Sequence, residues 1–300
     1  MHIDQSQPEG HQALDFRTST GVPHTLAAPQ AAPPEMNSLG DLMPTQTAQR
    51  LVEWSTAKST LSADRLVALG VLAGAFIAIG AAFFTGVMNV SSLGDGPTRL
   101  LGGIVFSGGL LLVCVSGAEL STGNCMLFTA WASRRLTLID VGRNLLIAYA
   151  ANAAGALAFA MLVAGSGLLQ SGYGRTAAAI AEAKMNLSFE QAFVRGILCN
   201  ALVCIAIWMI TAARTIPSKL VSLIFPISAF ITLGFEHSIA NFYFVPAGLL
   251  AGAAGSFGAA VTNLVAVTLG NLVGGLVIAL VFWMAYLRDT DSKPVRWARF

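Results

Sequence analysis

The chain has 300 residues, 55% hydrophobic and 11% charged, with a formal net charge of +2. Soluble domains carry about a quarter charged residues, so this deficit, with a mean hydropathy of +0.69, excludes an ordinary water-soluble fold and points to a lipid-embedded one. The small net charge offers no footing for nucleic acid.

The first 60 residues contain Pro8, Pro23, Pro29, Pro33, Pro34 and Pro44 and no apolar signal-peptide core. Such a composition cannot bury enough surface to order itself, so residues 1–44 are expected to form a disordered tail. From Thr45 to about residue 65, Leu51, Val52, Trp54 and Ala57 alternate with Gln49, Arg50, Glu53 and Lys58. That pattern suits a short amphipathic helix at the membrane interface, or an extension of the first span.

Six apolar blocks follow, at about 66–88, 100–132, 144–165, 190–213, 221–250 and 264–287. Each is near or above the ~20 residues that cross the hydrocarbon core. They define a channel domain over 66–289, with a short tail at 290–300. Arg134, Arg135, Arg143, Arg214 and Lys219 flank one side, together with Lys58, Arg65 and the tail residues Arg288, Lys293, Arg296 and Arg299. The other side offers Arg99, Arg175, Lys184 and Arg195. The positive-inside rule then puts both termini in the cytoplasm of a multi-pass inner or plasma membrane protein.

The second and fifth blocks are too long for one straight helix, and each carries a polar octamer. Gly117-Ala-Glu119-Leu-Ser121-Thr122-Gly-Asn124 matches Gly234-Phe-Glu236-His237-Ser238-Ile-Ala-Asn241 at its Gly, Glu, Ser and Asn. Ionisable groups at that depth mark a function by default. A repeated polar interruption in two halves is the best sequence pointer to a transport site. Three spans per half make the halves enter from opposite faces, an inverted repeat. Asn152-Ala-Ala-Gly155 and Asn271-Leu-Val-Gly274 echo one another in the third and sixth blocks. Their small residues suit close helix packing, and the paired Asn suit either packing or a pore lining.

His237 is the sharpest single residue, because an imidazole donates or accepts a proton near neutral pH. In a pore it could hydrogen-bond a passing anion or protonate it, provided that solute reaches the ring from either face. Glu119 and Glu236 read as proton carriers or as acceptors for amides freed where each helix breaks. Their symmetry favours the second role, with Ser121, Ser238, Asn124 and Asn241 as further support of the breaks. Thr122 could present a donor to an anion beside unwound backbone. Phe106, Leu110 and Phe230 flank the breaks, where apolar constrictions would exclude hydrated ions, and Lys184 could concentrate anions at a pore mouth. Glu236, His237 and Ser238 are consecutive, which spreads them around a helix and argues against a hydrolytic triad. Cys114, Cys125, Cys199 and Cys204 lack metal-ligand spacing, so no disulfide, metal or cofactor is expected.

At these residues the chain resembles the formate/nitrite transporter family. Gly234 to Asn241 with Val245-Pro246 is similar to its fifth-helix signature, and Gly117-Ala-Glu-Leu120 to its second. Gly196-Ile-Leu-Cys-Asn200 through Trp208-Met209 resembles its fourth helix, and Gly270-Asn271 to Gly275 with Trp283 to Arg288 its sixth. The likeness covers roughly residues 60–289. It implies an all-α membrane protein with six transmembrane helices in a 3+3 inverted repeat, aquaporin-like, with helices 2 and 5 broken. It further implies a homopentamer whose protomers each pass small monovalent anions such as formate and nitrite; the expected cargo is formate, alone or with a proton, with nitrite or hydrosulfide as the alternatives. In that comparison His237 matches the central histidine, Thr122 the loop threonine and Lys184 the vestibule lysine. Phe106, Leu110 and Phe230 match the constriction, and Asn200 and Asn271 the asparagines of helices four and six. A strictly proton-coupled symporter would instead accumulate anion when driven by a pH gradient. A water or glycerol channel shares the inverted design, but the Asn-Pro-Ala pair typical of those channels is absent from this sequence.

Overall fold

A computed structural model describes residues 40–288. The expected tails at 1–44 and 290–300 therefore lie outside the described residues, except for 40–44. Every regular element among those residues is helical: α1 (Pro44–Ser59), α2 (Ala63–Val90), α3 (Asp95–Ser116), α4 (Ser121–Asn124), α5 (Leu127–Ala132), α6 (Leu138–Gly165), a 3-10 turn (Leu168–Gln170), α7 (Gly172–Met185), α8 (Phe189–Ala212), α9 (Ile216–Thr232), α10 (Ser238–Leu250) and α11 (Phe257–Tyr286). Five of them (α2, α3, α6, α8 and α11) are long and apolar enough to cross a membrane. Leu146, Leu162, Val221 and Phe225 stand exposed on the outside. Outward-facing bulk of this kind is what a lipid or subunit contact covers.

Several helices begin earlier than hydropathy alone indicates. α6 starts at Leu138, where Thr137 accepts from the Asp140 N–H and Asp140 accepts from the Thr137 N–H. α8 opens on the same reciprocal cap between Ser188 and Gln191. These capped first turns are polar, so an apolar window does not see them. Residues 172–185, which hydropathy leaves as a loop, form α7. It is too short and too polar to read as a span, yet it buries Tyr173, Ala177, Ala181 and Met185, a face at helical spacing.

The two halves pack alike. α2 lies against α6, and α8 against α11. In the first pair a Cβ on Gly155 would strike the Val71 carbonyl; in the second, a Cβ on Gly274 would strike the Ile197 carbonyl. The small-residue stripes therefore serve backbone approach. α3 packs along α9, and both stop at the same feature of their octamers. Gly117 (φ 72°) ends α3, and Gly234 (φ 70°) follows the end of α9. Helical backbone resumes at Ser121 and Ser238.

A left-handed φ costs an L-residue roughly 1–2 kcal/mol. A Cβ on Gly117 would meet no atom within 4 Å, so Gly117→Ala isolates that backbone cost. The variant should lose about 1–2 kcal/mol in a denaturation titration while keeping its helix content by circular dichroism.

Candidate functional site

Each break frees backbone amides and carbonyls, and an asparagine from a neighbouring helix meets them. Asn152 Oδ1 accepts from Ser121 N–H at 2.9 Å, while its Nδ2 donates to the Gly70 and Glu119 carbonyls at 2.8 Å. Asn271 Oδ1 accepts from Ser238 N–H at 2.9 Å, and its Nδ2 donates to the Gly196 and Glu236 carbonyls at 2.8 and 2.9 Å. Both side chains are buried, and with both their polar ends engaged each clamps its break. Asn200 holds one end of the second clamp, its Nδ2 donating to the Asn271 carbonyl at 2.6 Å.

The two glutamates do something other than accept freed amides. Glu119 accepts from Asn124 Nδ2 at 2.7 Å and pairs with Lys58 Nζ at 3.0 Å. Glu236 accepts from Asn241 Nδ2 at 2.7 Å and pairs with Lys184 Nζ at 3.0 Å. Asn124 and Asn241 pass a second hydrogen bond to Asn144 and Asn263, whose own amides reach the Lys58 and Lys184 carbonyls. Each half thus holds a buried carboxylate–lysine–asparagine network that fixes a break from one face of the protein. The sequence marks Lys58 only as a flanking cation and gives Asn144 and Asn263 no role. Lys58 stands as far before Gly70 as Lys184 stands before Gly196, and that equality was the available signal.

Two of the four positions at which the octamers differ bring their side chains together. Leu120 and Thr122 in the first correspond to His237 and Ile239 in the second. His237 Nε2 lies 3.0 Å from Thr122 Oγ1, and its Nδ1 accepts the Ala240 N–H at 3.1 Å, capping α10. With Nδ1 occupied as an acceptor, a neutral ring carries its proton on Nε2 and points it at the threonine. Phe230 lies along the imidazole, centroids 6.1 Å apart, and meets Phe106 edge-on at 5.8 Å. Leu110 follows Phe106 by one turn and is also buried.

The ring is only 3% exposed. The fifth block is interrupted at His237, but the imidazole is enclosed by Phe230 and Thr122 rather than open to both faces. A cavity of about 300 Å³ approaches from the Lys58 side, reaching Glu119 and Leu120 between α1, Val113 and Ile207. On the Lys184 side the lysine is 14% exposed, with Nζ 5.1 Å over the Phe244 ring.

The formate/nitrite transporter family model matches residues 45–285. The chain is 34% identical to the formate channel FocA of Escherichia coli strain K12, covering 83% of this chain and 96% of that protein. It is 34% identical to a probable formate transporter of Methanothermobacter thermautotrophicus, over 82% of this chain and 97% of that protein. Among solved structures it is similar to a pentameric formate channel with formate bound, with a TM-score of 0.69, 33% identity and coverage of 75% and 98%. An ion channel of the same family superposes with a TM-score of 0.74 at 28% identity, covering 80% and 99%.

Replacing Asn271 with Leu would orphan the Ser238 amide and the Glu236 carbonyl in a dry interior and remove a second bond from the Gly196 carbonyl inside α8. Each such group costs about 1–3 kcal/mol. Asn271→Leu and Asn152→Leu should each lower stability by at least about 2 kcal/mol, read from the denaturation midpoint of the purified protein. Exposed Leu146→Ala serves as the neutral comparison.

Proposed function

The chain belongs to the formate/nitrite transporter family, and from that premise we propose that each protomer of a homopentamer passes formate through a pore closed at Thr122 and His237. It is a multi-pass membrane protein of anion transport and not an enzyme. Formate as the anion and the pentamer extend to this chain what its relatives' descriptions say of them, and five long apolar helices with two shorter ones support a six-crossing arrangement with two interrupted helices.

The observation that carries the reading is the 3.0 Å Thr122–His237 pair set against the aromatic barrier. An anion crossing a dry constriction loses hydration worth many kcal/mol, so it needs replacement donors at the narrowest point. Nε2–H and the threonine hydroxyl supply two, side by side, which suits the two oxygens of a small carboxylate. The aromatic pair keeps hydrated ions out, and Leu110 extends the apolar collar.

The Nδ1 cap supports binding rather than proton transfer from the ring. A second proton would have to sit on Nδ1 and displace the Ala240 amide. A singly protonated ring that gave up its Nε2 proton would become an imidazolate. We therefore assign His237 to hydrogen-bonding the anion, with any proton that travels along coming from solvent. The basic flanks support cytoplasmic termini, which puts Lys58 at the inner mouth and Lys184 at the outer one.

Losing one donor to a desolvated anion costs about 1.5–3 kcal/mol, a factor of ten or more in rate. Thr122→Val and His237→Asn should each cut formate flux into proteoliposomes at least tenfold or reorder the preference among formate, nitrite, lactate, hydrosulfide and chloride. Wild-type flux and selectivity in both variants, compared at two pH values, would overturn the assignment. Phe230→Ala should raise flux and admit lactate more readily; unchanged selectivity would remove Phe230 from the barrier.

A further inference from the structure

The inverted repeat gives a standard against which departures can be read. The glutamates, serines, asparagines and lysines around the two breaks all have counterparts in the other half. Two arginines do not. The Arg195 carbonyl accepts the Glu236 N–H as the Leu69 carbonyl accepts the Glu119 N–H, so Arg195 occupies the place of an apolar residue. Arg99 stands before Gly117 as Ile216 stands before Gly234, again an apolar counterpart. The fold therefore does not require a cation at either position.

Both guanidinium groups converge on one point. A Cβ built on the left-handed Gly234 would lie 3.6 Å from Arg99 Nη1 and 3.8 Å from Arg195 Nη1. At Gly117, the equivalent glycine, no atom lies within 4 Å of that position. Arg195 Nη1 donates to the Gly234 carbonyl at 3.3 Å. Among the described residues neither arginine forms an ion pair, although Asp95 lies one turn before Arg99 on α3. Two cations held near each other without a counter-ion repel, and an anion that enters between them relieves that repulsion.

A third group adds to the cluster. Gly103 of α3 touches Ser228 of α9, and these helices run antiparallel. One turn further toward the same face brings Arg99 on α3 level with Thr232 on α9. The Thr232 hydroxyl oxygen is buried without a hydrogen-bond partner. Thr232 thus adds an uncommitted hydroxyl at the level of Arg99. All three lie on the Lys184 side of Phe106 and Phe230, ahead of the aromatic barrier.

We infer that Arg99 and Arg195 form a carboxylate-capture site at the Lys184-side mouth, beside Gly234 and outside the Phe106–Phe230 pair. It rests on the anion-transport reading and adds to it a first station, distinct from the Thr122–His237 centre. Guanidinium forks suit a planar carboxylate through paired N–H donors. A cationic mouth also raises the local anion concentration, an effect that salt screens. Having no counterpart at the other face, the site makes the two mouths chemically unequal.

The test uses the full chain reconstituted in zwitterionic lipid, as right-side-out and inside-out vesicles. A passive pathway has one low-concentration permeability for both directions, so sidedness is read with a bulky planar dicarboxylate, isophthalate, as a blocker. Isophthalate should inhibit formate flux in the wild type from the Lys184 face only. Arg99→Gln and Arg195→Gln should each lower formate permeability at low concentration three- to tenfold and weaken its salt dependence. Both should lose most of the isophthalate inhibition and keep the saturating flux within about twofold, whereas Arg195→Lys should retain the inhibition. Equal inhibition from both faces in the wild type, or unchanged permeability and inhibition in the Gln variants, would overturn the capture site alone. A wild type with no anion permeability would overturn the transport reading and this site with it. Abolition of isophthalate inhibition by adding phosphatidylglycerol would assign the arginines to lipid headgroups and overturn it too, while persistence supports the aqueous carboxylate.

Discussion

Backbone left unpaired in a low-dielectric interior is the constraint on which this architecture depends. An interrupted helix releases amides and carbonyls that neither lipid nor bulk water can satisfy. Asn152 and Asn271 answer it with three hydrogen bonds each, all made from a helix outside the octamer they serve. The polar centre can exist only because those clamps hold the two ends apart at a fixed distance. The lysine–glutamate pairs then tie each break to a face of the protein, Lys58 to one and Lys184 to the other.

What is shared by both halves is scaffold, and what differs between them is chemistry. Glu, Ser and Asn recur at matching positions because each half has the same orphaned backbone to satisfy. Leu120 and Ile239 stand across from His237 and Thr122, so the repeat supplies one imidazole and one hydroxyl where symmetry alone would supply two of each or neither. Their 3.0 Å contact joins residues from opposite repeats. That single polar contact lies against the apolar Phe230, itself packed on Phe106, which is the arrangement on which the proposed formate path rests. The unmatched arginines near Gly234 follow the same logic at the mouth.

Much of this was legible in the order of residues, because periodicity and repetition leave a linear trace. The octamers marked where the second and fifth blocks are interrupted, and the glycines that begin them do take φ near +70°. The glutamates were misjudged in their partner: they accept from asparagine amides and lysines, whereas freed backbone was expected. The asparagine partners lie within the same octamers, but the lysines come from helices far apart in the chain, and no spacing rule joins Glu119 to Lys58. α7 was missed because a helix that hides one small-residue face against another helix has no need of the hydropathy that betrays a span.

The sequence by itself determined a membrane-embedded, all-helical chain and the internal repeat of its two polar octamers. These follow from composition and local pattern, which burial in lipid constrains strongly. Only the tertiary structure decided that His237 faces Thr122 through Nε2 while Nδ1 caps α10, that the ring is shut behind Phe230, and that Arg99 and Arg195 share the space beside Gly234. The Thr122 contact and the meeting of Arg99 with Arg195 depend on distances between segments separated by many tens of residues, and the cap and Phe230 on how the break at His237 is folded. Packing of the helices, and no feature of any one of them, sets such distances.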